Sequence, residues 1–440
     1  MLAATMALLA ATVCGQNMAP ARHVVVISVD GMGASWYRSP SQGLDIPNIL
    51  RLKNEGSFAE AVEGIYPTVT YATHTTMVTG RLPVEHGIYS NVSARGPGEH
   101  RNDWFWFSKS IRVPTLWDEA RRSGLTTASV SWPVTAGADI NWNFPEIWDP
   151  AKYEAIDFGL IGKYSTPGLL QEVMAALHLQ PGADGDDIRT DVAAYLLKKY
   201  KPNLLLLHLN DLDHNEHVTG PASAETRKAL EASDVRIGEI LDALKGAGLA
   251  ETADVFIVSD HGFLPTDKSI NPNVLLAKAG LLKLDDQGNI TGGKIFTLSN
   301  GGSFFIYWPE GQNLRVEVDA ALKPLLDQGL LWAVLDRTAL ADLGVEPAVQ
   351  LALEPPTGYL FGNRATGEVV SDLKKPGGTH GFLPFRKNLE SSFIARGPHI
   401  RGGVDLHRIP ITAIGPTILR ALGVDNPHFG DTPALADVLN

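Results

Sequence analysis

"HVVVISVD" (residues 23–30) decides the fold. It is a run of mostly β-branched residues closed by an acid, with no alternation of polar and apolar positions. A strand with one wet face alternates. A continuous apolar run suits a strand buried on both faces, as in parallel sheets. The pattern returns in "NLLLLHLND" (203–211) and "ADVFIVSDH" (253–261), and "TTASVSW" (126–132) and "SSFIARG" (391–397) read as further strands. Helical patterns lie between them at 46–56, 114–124, 187–200 and 223–248, each stopping near a glycine or a basic residue, and 409–423 reads as a closing helix. This alternation predicts an α/β domain with a largely parallel central sheet and helices on both faces. Ligands of such sheets bind beyond the carboxyl ends of the strands. Asp30, Asp211, Asp213, Asp260 and His261 all fall at or just past such ends. A lone aspartate there is ordinarily a turn or cap residue; three strands ending alike point to one shared site.

The chain has 440 residues, 44% hydrophobic and 20% charged, which are ordinary globular values. A net charge of −12 and a pI near 5.5 argue against binding a nucleic acid polymer, which calls for a basic face. They leave small anionic substrates open, because a bound metal can reverse the local sign. The sole cysteine, Cys14, follows the apolar run from Leu2 to Val13. That run is too short to span a bilayer and suits a signal peptide over residues 1–15, with cleavage before Gln16. A periplasmic or secreted protein is the expectation, with no transmembrane segment and with residues 16–440 as one large domain. Within it, residues 265–376 read differently: short alternating pieces such as "GSFFIYW" and "GYLFG", rich in Gly and Pro, suggest an inserted cap subdomain.

The chemistry-bearing residues form a mixed nitrogen and oxygen set. Asp213 and His217 are four apart in "DLDHNEHVTGP", a spacing that can direct both at one ion. Asp260 and His261 are adjacent, Asp30 sits in "VDGMG", and His380 sits in "GGTHGF", where glycines permit close backbone approach. Such a set suits Zn²⁺, and Mn²⁺ less well. His214 rivals His217 as the ligand. His74 and His86 read as supporting or structural, and His208, inside a strand, as a packed core residue. The stretch "GIYPTVTYATHTTMVTG" (64–80) turns from extended chain into a helix near Thr70. A helix start offers free N–H groups to an anion, and a threonine there is either an activated nucleophile or a simple N-cap. Asn91 has an amide able to donate to a phosphate oxygen, and Tyr71 has a ring able to stack on a base or pack against a leaving group.

Taken in order, "VDGMG", "YPTVTYATHTTMVTGRLPVEHGIYSN", "DLDHNEHVTGP", "SDHGF" and "GGTHGF" resemble the alkaline phosphatase superfamily, and within it the type I phosphodiesterase / nucleotide pyrophosphatase family. The resemblance implies an alkaline-phosphatase-like fold and two Zn²⁺, one on Asp30, Asp260 and His261 and the other on Asp213, His217 and His380. It implies that Thr70 touches the first ion and attacks phosphorus, while Asn91 binds the phosphoryl oxygens. The family's Phe-Pro-Asn after the nucleophile is here Tyr71-Ala72-Thr73, its Glu-Pro-Asp is Asp211-Leu212-Asp213, and Glu216 stands where a glycine is usual. These departures bear on the substrate pocket more than on the metals.

Charge separates the possible substrates. Two Zn²⁺ balance three aspartates and a threonine alkoxide, so a diester adds one negative charge and a monoester two. Phosphomonoesterases of the superfamily that use threonine carry a Lys-x-Arg pair where this chain has Trp132-Pro133. The expectation is therefore hydrolysis of a small-molecule phosphodiester or pyrophosphate, nucleotide-like or a lipid head group, through a phospho-threonine. A phosphomonoesterase, a phosphonate hydrolase and a catalytically inactive zinc-binding protein are the alternatives.

Overall fold

The computed structural model describes residues 22–93, 104–149, 157–180 and 184–440; the expected signal peptide, residues 1–15, lies outside them. Among the described residues the central sheet has eight strands: β1 (His23–Val29), β2 (Ser57–Phe58), β3 (Thr127–Val130), β4 (Trp142–Phe144), β5 (Leu204–Leu209), β6 (Ala253–Val258), β7 (Phe393–Arg396) and β8 (Val404–Asp405). Their order is β8-β2-β7-β6-β1-β5-β3-β4. Strand β1 pairs in parallel with β5 and β6, and β3 pairs in parallel with β5 and β4. Only β7 runs against its neighbours, β6 and β2. The three apolar runs are thus the three middle strands of a largely parallel sheet.

Their lack of alternation has a direct cause. Val25, Ile27 and Val29 of β1 join one apolar core with Leu205, Leu207 and Leu209 of β5. Val24 and Val26 join the opposite core with Leu204 and Leu206. The first core is closed by helix Pro47–Glu55 and by the long helices Asp186–Tyr200 and Ala224–Gly246, through Ile49, Leu196 and Ile237. The second is closed by helix α1 (Thr70–Thr79), by Leu116–Arg122 and by Ile414–Ala421, through Met77, Trp117 and Ile418. Each buried Leu, Val or Ile contributes about 1.5–3 kcal/mol of burial, so both faces of every middle strand must be apolar. The closing segment 409–423 is shorter as a helix than its pattern suggests. It opens as strand Arg408–Pro410 and a 3₁₀ turn, with Pro410 ending the strand before the helix Ile414–Ala421 begins.

Between β6 and β7, residues 264–379 build further structure. Strands Leu264–Ile270, Gly358–Phe361 and Val370–Thr379 form one sheet, and Phe296–Ser299, Phe304–Tyr307, Leu351–Glu354 and Ala333–Asp336 form an antiparallel one. Ile270, Leu276, Phe304, Leu322 and Leu353 belong to a core of their own. Strand Val370–Thr379 ends against His380 and so returns the chain to the carboxyl ends of the central strands.

Candidate metal centre and active site

Three adjacent strands deliver the acids. In the parallel register Ser28 lies opposite Val258, so Asp30 and Asp260, two residues on, come side by side. Val29 lies opposite Leu209, and helix α2 (Asp211–Thr219) starts two residues later with Asp213 and His217 one turn apart. Asp30, Asp260 and His261 bring ligand atoms within 4.8 Å of one another, and so do Asp213, His261 and His380. His217 Nε2 is 3.5 Å from Asp213 Oδ1. The structure therefore gathers all six expected ligands, with one difference. His261 reaches both groups, its ring stacked on that of His380 at 3.7 Å, so the six form one continuous cluster.

The second ring nitrogens are held by backbone. His380 Nδ1 donates to Thr68 O at 2.8 Å, and His217 Nδ1 to Gly378 O at 3.1 Å. Each Nε2 is left with its lone pair toward Asp213, the arrangement that presets an imidazole for a metal. The glycines beside His380 allow the close approach expected of them: a Cβ at Gly377 would sit 2.3 Å from His217 O. Gly31 is equally constrained, with φ +76° and Glu216 Oε2 at 2.6 Å from any added Cβ.

Several buried atoms here have no hydrogen-bond partner: Asp30 Oδ1, Asp213 Oδ1, Asp260 Oδ2 and both ring nitrogens of His261, although His261 Nε2 lies 3.1 Å from Asp260 Oδ2 and 3.5 Å from Asp30 Oδ1. Buried polar atoms are normally paired. Burial, together with Asp260 and Asp213, holds the Asp30 carboxyl well above its usual range despite His208. Burial and the His380 and His217 rings hold His261 well below the usual imidazole value, and burial with His217 lowers His380 to about 4. Neutral imidazoles and crowded carboxylates form a donor set that wants a divalent cation, and these residues fit one.

Thr70 is the first residue of α1 and is buried; the N-cap is Val69, which makes no side-chain cap bond. The simple N-cap role is thus ruled out for Thr70. It shares a cavity of about 770 Å³ with Asp30, Asp213, His217 and His380. Asn91 lines the same cavity; its Oδ1 accepts the Tyr71 N–H at 2.9 Å, which turns the amide NH₂ the other way. Tyr71 also lines the cavity, but its ring is 1% exposed, packed on Trp104 and Trp106 with its hydroxyl on Glu146. His74 Nδ1 donates to Thr70 O at 2.8 Å and supports the helix start, whereas His86 pairs with Thr76 away from the cluster. His214 is exposed on the rim and makes none of the contacts that His217 makes.

Sequence reasoning missed two residues that reach the cluster's acids directly or through one another. His208, which reads as core, lines the cavity and bonds Asp30; Glu146 bonds His208 and lines the cavity from just past β4. Glu146 carried the same signal as the other acids, a carboxylate directly after a strand. Burial opposes charge on His208, but Asp30 and Glu146 outweigh it and raise its pKa. The remaining described wall includes Trp104, Trp148, Arg189 and Asp211, and none of it comes from residues 265–376.

The sequence model of the type I phosphodiesterase / nucleotide pyrophosphatase family matches residues 24–383. Human ectonucleotide pyrophosphatase/phosphodiesterase family member 1 is 25% identical over 409 residues, covering 87% of this chain and 38% of that protein. Venom phosphodiesterase 2 of Crotalus adamanteus is 27% identical over 248 residues, covering 54% of this chain and 26% of its own. This chain thus spans well under half the length of these curated relatives. Among solved structures, human ectonucleotide pyrophosphatase / phosphodiesterase 5 superposes with a TM-score of 0.69 at 20% identity, covering 95% of this chain and all of the other. An inactive threonine-to-alanine form of the murine protein, in complex with AMP, does so with 0.67 at 19%, over 95% and 100% of the two chains. These likenesses show the shared fold, and the match over residues 24–383 shows that the chain belongs to the type I phosphodiesterase / nucleotide pyrophosphatase family.

Proposed function

We propose that this chain hydrolyses phosphodiester or pyrophosphate bonds of small, nucleotide-like molecules through a phospho-threonine on Thr70, with two Zn²⁺ as cofactors. One observation carries the reading: six carboxylates and imidazoles converge, several of their buried oxygens and nitrogens have no hydrogen-bond partner, and four of the six, Asp30, Asp213, His217 and His380, share a cavity with a threonine at a helix start. Asp30, Asp260 and His261 would hold one ion, and Asp213, His217 and His380 the other. When bound, such a pair favours the threonine alkoxide and stabilises charge on the attacking and leaving oxygens.

The chain's own residues do the rest. Thr70 Oγ1 forms a bond to phosphorus as the bond to the leaving oxygen breaks, and a proton follows the leaving group. Water then cleaves the Thr70 ester and releases the phosphate product. The Asn91 amide NH₂ faces a non-bridging oxygen, and His74 steadies Thr70 through its carbonyl. Arg189 is the one Lys or Arg among the described cavity residues, and it is paired with Asp184 and Asp186. With no free cation there to meet a dianion, diesters are favoured over monoesters.

The names of the relatives and the AMP-bound neighbour support a nucleotide as one half of the substrate. Residues 265–376 would act as a buttress: Ser90 donates to Asn300 Oδ1, and Gly302 N–H donates to His380 O. The apolar run at residues 2–13 supports export. A zinc-loaded assay of a nitrophenyl nucleotide diester against nitrophenyl phosphate and a choline phosphodiester tests the reading. The nucleotide diester should lead the monoester by about tenfold or more in kcat/KM; a leading monoester would reverse it.

A further inference from the structure

Asp30 has one oxygen to give, because the other is already held. Its Oδ2 lies 2.9 Å from His208 Nε2, while Oδ1 is buried with no hydrogen bond and faces His261 Nε2 of the cluster at 3.5 Å. On the far side of the ring, His208 Nδ1 is 3.1 Å from Ser131 O and 3.2 Å from Glu146 Oε2. A carbonyl only accepts, so Nδ1 carries a proton and donates. Glu146 is held in turn, since the Tyr71 hydroxyl donates to its Oε1 at 3.2 Å.

The four groups follow the sheet: Glu146 stands past β4, Ser131 past β3, His208 on β5 and Asp30 past β1, four neighbours in the strand order. All are buried. Ser131 has φ +52°, a left-handed conformation that costs a non-glycine residue about 1–2 kcal/mol. That turn aims its carbonyl at His208. A packed core histidine needs partners too, but here one partner is a carboxylate whose second oxygen belongs to the metal cluster.

We infer that Glu146, Ser131 and His208 form a positioning chain that turns Asp30 so that Oδ1 alone faces the metal, and that Tyr71 ties this chain to the helix bearing Thr70. The inference rests on the reading of Asp30 as a metal ligand. Conserving such supporting contacts is commonly worth about 10–100-fold in metal affinity.

The test is zinc titration of the chelator-stripped full chain, with content read by elemental analysis and affinity by competition with a chromophoric chelator. Wild-type protein should take two ions. His208→Leu should weaken one of them by about 10–100-fold and leave the other unchanged. His208→Gln, which keeps an N–H near the Nε2 position, should recover most of that loss. Glu146→Gln keeps the side-chain shape and should weaken the same ion by about three- to tenfold; it serves also where His208→Leu does not fold. Wild-type affinity for both ions in His208→Leu and Glu146→Gln overturns the positioning chain and leaves the metal centre standing. So does a His208→Gln protein no better than His208→Leu. A wild-type chain that takes up no zinc overturns the underlying reading instead.

Discussion

Asp30, Asp260 and His261 sit on strand ends and are 3%, 0% and 0% exposed. Asp213 and His217 ride on a helix with side chains 19% and 39% exposed, and His380 follows strand Val370–Thr379. The first half is mostly sealed by the sheet, with Asp30 alone of its three residues lining the cavity, whereas Asp213, His217 and His380 all line it. The sealed ligands also serve the fold: Asp260 Oδ1 accepts the N–H groups of Gly31 and His261 at 3.2 and 3.1 Å. Asp213 Oδ1 has no such duty. Fold and chemistry are therefore coupled at Asp260 and separable at Asp213.

The largest effect should come from the proposed nucleophile. Thr70→Ala should lower kcat by about 10³-fold or more with both zinc ions retained, as elemental analysis and steady-state kinetics would show. Unchanged turnover would remove Thr70 from the mechanism. Next, Asp260→Ala and Asp213→Ala should each abolish most activity yet part company in stability. In metal-free protein, Asp260→Ala strands two buried N–H groups and should cost about 1–3 kcal/mol by urea denaturation. Asp213→Ala should stay within about 1 kcal/mol of wild type. Equal losses would erase the distinction between sealed and open halves.

Acid should probe the buried imidazoles. Burial and Arg112 push His86 down to about 3, while an unfolded histidine titrates near 6.5. Below about 6.5 the unfolded state takes up the proton first, so His86 stabilises the fold fully above that pH and loses its contribution as pH falls toward its folded value. His380, lowered to about 4, follows the same sign in metal-free protein. His86→Gln should reduce the acid-induced loss between pH 6.5 and 4.5 by up to about 1.4 kcal/mol per pH unit. Melting curves at stepped pH would reveal an unchanged slope if the ring is not buried neutral. The smallest effect belongs to the exposed neighbour of the open half. His214→Ala should leave metal content untouched and change kcat/KM by less than about tenfold; loss of one ion would make it, and not His217, the ligand.

What could be read from the chain follows from the same physics. "HVVVISVD" and its two repeats show burial on both faces and a strand end at once, so the sheet's middle and the acids Asp30, Asp213 and Asp260 were legible together. The direction of β7 was not, because an apolar run carries no mark of antiparallel pairing. His208 was hidden for a related reason. Inside "LLLLHL" a histidine looks like a tolerated core residue, and only the register with Ser28 and the approach of Glu146, 62 positions away, show it reaching Asp30. Tyr71 reads as an aromatic free to stack, but Trp104, Trp106 and Glu146 enclose it. Contacts made across long separations set these roles, and composition and period do not record them.

The most direct measurement is activity against zinc added per chain, starting from chelator-stripped protein and a nucleotide diester substrate. Turnover should be absent at the start, rise with added zinc, and level off at two ions per chain. Full turnover with no divalent ion present, or a plateau at one, would contradict a threonine nucleophile that depends on two metal ions.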